Sequence, residues 1–301
     1  MKRLVLVFAA VILPFTLEAC QEKLEWEIDV DIVVGNTEPT EYDDSIDYDE
    51  IMSISGGQPQ GGDSWGDYFF QFSVNNSEVR IYDLATKTLV QTIKMTIPLI
   101  GFVTNCHCNT VCFGKEYYDV DDLFPLIYVS TGYASGGYTG ALVYRIVQHN
   151  GIFFITLVQT IKFPVGNSSW TEFVPEGEFA YLCYTSERVI YKIEMPKLKD
   201  GDLIIGPDSA IETYQFASQP DWMATSRNQD RLFHQGKIYV ASGVPHNGEA
   251  CVLFVLNLET QERERIIDLK KSGLTSEPES IFIWQGNICI AFVDKIVKLY
   301  L

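Results

Sequence analysis

An all-β fold of five similar sheets standing around one axis is predicted by three features of this 301-residue chain. The first is recurrence: EVRIYDLATKTLVQTI, from Glu78, sets two runs of β-branched and aromatic residues around a polar turn, which is how a hairpin reads. The core of that pattern returns in ALVYRIVQHNGIFFITLVQTI from Ala141, RVIYKIEM from Arg188, CVLFVLNLETQERERIIDL from Cys251 and the C-terminal IVKLYL. The second is spacing: aligning Tyr82, Tyr144, Tyr191, Phe254 and Tyr300 gives intervals of 62, 47, 63 and 46 residues, a length that suits a propeller blade. The third is burial. VRIYDL, VLFVL and FAYLCY are apolar or aromatic on both faces, as a blade packed between two neighbours requires, whereas a two-sheet sandwich would alternate more cleanly. Together they predict a five-bladed β-propeller with four-stranded antiparallel blades.

The chain begins before that fold does. Lys2 and Arg3 precede LVLVFAAVILPFTL, fourteen residues that suit the core of a signal peptide better than a membrane span. Export is the consequence. The run ends in Leu17-Glu18-Ala19-Cys20, which resembles a bacterial lipobox, so residues 1–19 are expected to be a signal peptide of the lipoprotein type and Cys20 the lipidated residue. Glu18 stands where a small residue is usual. The expected location is the cell envelope, by a lipid anchor, on the outer membrane or cell surface of a Gram-negative bacterium.

Residues 20–55 read as an acidic tether. From Cys20 to Glu50 there are twelve acidic residues against the single basic Lys23, a self-repelling stretch. Within it Leu24–Val34 alternates apolar and acidic residues and is expected to be a strand. Residues 56–301 make up the propeller domain. Blade by blade, YFFQFSV, VRIYDL and LVQTIKM form a first meander after the turn-rich GGQPQGGDSWG. CHCNTVCFG, LIYVSTGY, ALVYRIV and IFFITLVQTIKF make the second; TEFV, FAYLCYT, VIYKIEM and AIETYQF the third; MATSRNQDRLFHQ, KIYVASG, ACVLFVLNL and RERIIDL the fourth. The fifth has only PESIFIWQ, ICIAFV and KIVKLYL. One strand is missing, and closed propellers share one blade between the two chain ends to remove open edges, so Leu24–Val34 is expected to complete it.

The pattern resembles five-bladed β-propeller proteins, and among them exported bacterial lipoproteins of unassigned function. The resemblance is carried by VRIYDLATKTLVQTI, by His107 to Asn109, by FPLIYVS from Phe124, and by Glu277-Pro278-Glu279-Ser280 before an apolar strand and a Gly-Asn turn. It spans Gly56 to Leu301, with Ser280 where such proteins often carry glycine.

Charge narrows the function. A formal net charge of −18 and a pI near 4.5 exclude a nucleic-acid role, which needs a basic face. No phosphate loop, nucleophile elbow or dinucleotide fingerprint is present, and GYASGGYTG from Gly132 leads into a strand rather than a helix. No cofactor is expected. The cysteine run C-x-C-x3-C from Cys106 lacks zinc-knuckle spacing, so Cys106, Cys108, Cys112, Cys183, Cys251 and Cys289 are read as free, packed thiols. A period of two there puts His107, Asn109 and Val111 opposite the cysteines. The acidic runs YYDVDD and Asp43 to Glu50 lack the spacing and glycine of a calcium loop.

Inner strands of a propeller line its channel, so polar residues at their starts converge on one mouth. Gln58, Gln60, His107, Asn109, Glu172, Asp221, Glu277 and Glu279 are the candidate ligand-binding residues. The expected function is an envelope-anchored, non-enzymatic binding protein, most simply a monomer, that takes a carbohydrate, peptide or protein ligand there. The alternative is a glycoside hydrolase or lyase using inward carboxylates, with Asp67, Glu178 and Glu279 the imaginable partners, together with His107.

Overall fold

In the computed structural model the described residues are 45–56, 58–73, 78–95, 107–133, 138–164, 170–184, 189–216 and 227–301. Residues 1–44, and with them the leader, Cys20 and Leu24–Val34, lie outside them, as do Cys106 and Asp221.

Five antiparallel sheets follow one another along the chain. The innermost strands are Pro59–Trp65, Val111–Phe113, Trp170–Glu176, Asn228–His234 and Pro278–Trp284, and each touches the innermost strands of its neighbours, the fifth returning to the first. The sheets are therefore the blades of a five-bladed propeller. Each has four antiparallel core strands. Two blades carry a short addition: Leu203–Ile204 pairs in parallel outside the second, and Gly132–Tyr133 pairs with the inner strand of the third.

The hydrophobic core is divided among the five seams between blades. Phe70, Phe72 and Ile81 of the first blade pack on Val129, Leu142 and Tyr144 of the second; Phe69 and Tyr82, one residue along, pack on Phe282 and Ile296 of the fifth. The same split separates Tyr128 from Val129, Val240 from Tyr239, and Phe282 from Ile281. Successive side chains of a strand point to opposite faces. A strand apolar at every position thus feeds two seams, which explains why these runs show no polar alternation. The alignment on aromatic residues holds for Tyr82, Tyr144, Tyr191 and Phe254 but slips in the last blade. Tyr300 is exposed, and Val297 and Leu299 fill the corresponding seam.

The fifth blade is closed by a strand N-terminal to the propeller, Asp47–Ser53; Leu24–Val34, expected in that place, lies outside the described residues. It pairs antiparallel with Lys295–Tyr300, Asp47 opposite Tyr300 and Ser53 opposite Lys295. Two properties suit this segment to the place. Ile51, Met52 and Ile54 are buried against Phe282 and Phe69 at the seam of the fifth and first blades, and only residues 54–58 separate it from the first inner strand. Its acids, which make it look like tether, face Lys298 and Lys295: Asp49 lies 3.5 Å from Lys298 Nζ and also accepts a hydrogen bond from the Tyr300 hydroxyl, and Glu50 lies 3.9 Å from Lys295. Opposite charges across a strand pair favour one register.

Candidate functional site

The inner ring is polar at every seam. Asp63 of the first blade accepts the Phe113 N–H of the second at 2.8 Å. Ser130 Oγ accepts the Phe173 N–H of the third at 2.9 Å. Glu172 of the third pairs with Arg231 of the fourth, Asp230 accepts the Ile281 N–H of the fifth at 2.9 Å, and Ser280 Oγ donates to Gln60 O of the first at 3.1 Å. Each bond ties one blade to the inner strand of the next, so the ring is held by hydrogen bonds inside and by apolar packing outside.

The ion pair is the most deeply buried of these links. Glu172 is 0% and Arg231 7% exposed, and burial alone lowers the guanidinium to about 10. Such a pair is costly to break, because either charge left alone has no water. Glu172, a sequence candidate for ligand binding, is thus occupied in joining two blades.

The two ends of the inner strands differ. At one end lie the hairpin turns into the second strands. At the other, three of the five inner strands are bulged: the register skips between Pro59 and Gly62, between Asn228 and Asp230, and between Pro278 and Ser280. The extra residues are Gln60 with Gly61, Gln229, and Glu279. A bulge leaves its extra residue out of the ladder and re-aims it, so three blades turn a polar side chain out of the regular alternation at the same level. Gly61 is needed for its bulge, since a Cβ there would stand 2.3 Å from Cys108 O and 2.4 Å from Asn109 O, and its N–H donates to Cys108 O at 2.8 Å.

Cys108 is itself unusual. Its φ is +54, and the other non-glycine residues with positive φ among the described residues, Lys87, Asn150, Gln235, Gln261 and Gln285, occupy hairpin turns. The left-handed kink at Cys108 breaks the expected alternation of this stretch: Cys108 and Val111 pack into one seam while Cys112 enters another. It leaves His107 and Asn109 together, with His107 Nδ1 against Asn109 Oδ1. Asn109 Nδ2 reaches toward Asn228 O at 3.5 Å. Burial lowers the His107 imidazole below its ordinary range, partly offset by Asn109, so the ring is neutral at physiological pH. Among the described residues no group of His, Cys, Asp or Glu is arranged to hold a metal ion. Cys112, Cys183, Cys251 and Cys289 are free thiols, and they and Cys108 are buried.

On the fifth blade, Glu277 accepts a hydrogen bond from Gln229 Nε2 at 2.6 Å and lies 3.3 Å from His246 Nδ1. Glu279, two residues on, is 3% exposed, and no hydrogen-bond donor among the described residues meets its carboxyl. Burial, then the nearby Glu277 and Asp230, hold it well above the usual carboxylate range. Burial also raises Glu277, against the pull of His246 and Gln229. Gln60 Nε2 donates to Pro59 O at 2.8 Å while its Oε1 is buried without a partner.

Of the eight sequence candidates, then, Gln60, His107, Asn109, Glu277 and Glu279 gather at the starts of the inner strands, Glu172 lies in the seam, Gln58 is exposed at the approach to the first strand, and Asp221 is outside the described residues. The carboxylates suggested for hydrolysis do not share a cleft. Asp67 sits in the turn after the first inner strand, accepting from Trp284 Nε1 at 3.2 Å, and Glu178 in the turn after the third, 3.5 Å from Lys197. Both lie at the opposite strand end from Glu279. Sequence reading passes over Gln229, Asp230 and Asp63. RNQDR, from Arg227, holds the signal, a polar pair just before the apolar residues of a first strand.

No family model matches the chain, and no curated protein matches it. Among solved structures, the crystal structure of Myxococcus xanthus glutaminyl cyclase superposes with a TM-score of 0.47 at 11% identity, covering 86% of this chain and 100% of that one, a likeness that carries no argument about activity.

Proposed function

We propose that the protein is an envelope-anchored binding propeller whose ligand, a glycan or peptide, sits at the bulged ends of the inner strands. One observation supports this above the others. Glu279 is a carboxyl turned out of its ladder by a bulge, 3% exposed and set near the acids Glu277 and Asp230, with no donor among the described residues directed at it. A bound ligand supplies what the fold withholds. Gln60, Gln229 with Glu277, and His107 with Asn109 stand at the same ends of the inner strands, held by hydrogen bonds, as polar recognition requires.

Binding without turnover is favoured over hydrolysis because the suggested acids, Asp67 and Glu178, stand at the other end of the inner strands. Anchoring through Cys20 is part of the proposal, resting on the leader and Leu17-Glu18-Ala19-Cys20. Glycan and peptide arrays run beside a hydrolysis screen test it. The expected result is retention of a ligand that Glu279→Gln weakens, with no cleavage. Hydrolysis abolished by Glu279→Gln would overturn it in favour of an enzyme.

A further inference from the structure

Hydrogen-bonding capacity at the mouth is unevenly spent. The amide donors of Gln60, Gln229 and Asn109 are used: Gln60 Nε2 on Pro59 O, Gln229 Nε2 on Glu277, and Asn109 Nδ2 directed at Asn228 O. Acceptors remain. Gln60 Oε1 is buried without a partner, and the Glu279 carboxyl has no donor among the described residues. The two belong to adjacent inner strands joined by the bond from Ser280, the neighbour of Glu279, to Gln60 O. A ligand that satisfies both must bring hydrogens, and several of them.

Charge points the same way. The groups facing Glu279 are Glu277, just before its strand, and Asp230 on the fourth blade. The nearby cations are engaged: Arg227 Nε lies 3.3 Å from Glu249, His246 lies 3.3 Å from Glu277, and Arg231 is paired with Glu172. No described cation is directed at Glu279. We infer, resting on the binding site proposed above, that the ligand presents a primary ammonium group, which docks on Glu279 with Gln60 Oε1 as a second acceptor. The ammonium has three donors and a positive charge, and so meets both shortages.

Docking carries a proton balance. Burial and the neighbouring Glu277 and Asp230 favour the protonated form of the free Glu279 carboxyl. As the ammonium arrives its O–H bond breaks, the carboxylate remains as the counter-ion, and the proton leaves to the buffer. No other bond changes.

Amino sugar and peptide amine share this chemistry, so both are used as probes. The full chain is titrated calorimetrically with glucosamine and with glycylglycine, each against its N-acetyl form, in two buffers of different ionisation enthalpy near neutral pH. The expected result is binding of at least one amine, weakened about tenfold or more by acetylation, with release approaching about one proton per site. Glu279→Gln is expected to abolish that preference and the proton release without lowering the melting temperature, while Asp67→Asn, at the other strand end, changes neither. Whether glucosamine, glycylglycine or both bind identifies the source of the ammonium. Equal binding of the amine and its N-acetyl form, or amine binding untouched by Glu279→Gln, overturns the ammonium inference and leaves the site standing. If none of the four probes binds, the inference falls, and the array experiment decides the site separately.

Discussion

The two ends of the inner strands are made from the same five strands and obey different rules. At the turn end the chain reverses in short hairpins with glycine in the left-handed region at Gly66, Gly177, Gly236 and Gly286. At Gly66, Gly236 and Gly286 nothing stands within 4 Å of where a side chain would go. That is open, forgiving geometry. At the mouth end three strands are bulged, Cys108 is kinked, Gly61 is pressed against backbone, and carboxyls are raised by burial. Local rules are broken at the mouth, as they would be at the binding site proposed there.

The comparison can be broken most severely at the seam. Glu172→Ala leaves Arg231 buried without its counter-charge and is expected to cost about 3–5 kcal/mol in denaturant unfolding. A cost within ordinary surface values would mean that water reaches the pair. Next comes the contrast between glycines. Gly61→Ala forces the first blade away from Cys108 and Asn109 and is expected to cost about 1–3 kcal/mol and to weaken ligand binding. Gly236→Ala at the turn end should cost only about 1 kcal/mol for its left-handed φ and leave binding alone. Equal effects on binding would erase the distinction between the ends.

The buried acids give a pH signature. Asp63 is raised from 3.8 to about 7, by burial first, against the pull of the Phe113 and Ser64 N–H groups, and Asp230 and Glu279 are raised as well. Between its unfolded and folded values each such acid holds more proton in the native state than in the unfolded chain, so stability present at low pH is lost as pH rises. The melting temperature is expected to fall as pH rises from about 4 to about 7, and Asp63→Asn should flatten part of that slope. A melting curve that rises over the interval would contradict the burial of these groups. A small effect is expected for Gln229→Ala, about 0.5–1.5 kcal/mol in stability, with the loss felt in ligand binding because Glu277 is no longer held in place.

How much of the site is legible follows from the range of each signal. Gln60, His107, Asn109, Glu277 and Glu279 can be found because a polar residue just before an apolar first strand is a local pattern. Gln229 carries the same pattern within RNQDR, yet Asp221, which comes before that motif in the chain, stands out more strongly as the acid of that blade. Glu172 is found the same way, but its pairing is not, since its partner Arg231 is on another blade and nothing near Glu172 announces it. The unpaired state of Glu279 is likewise invisible in one strand.

Sequence alone determined the five blades and their double-sided packing, because alternation along a strand is a short-range property and an unbroken apolar run has few other places to go. Tertiary structure decided the rest. Asp47–Ser53 closes the ring because Ile51 and Met52 meet a seam that exists only once the first and fifth blades are adjacent, and the three bulges aim Gln60, Gln229 and Glu279 together only because the ring brings distant strand ends to one mouth.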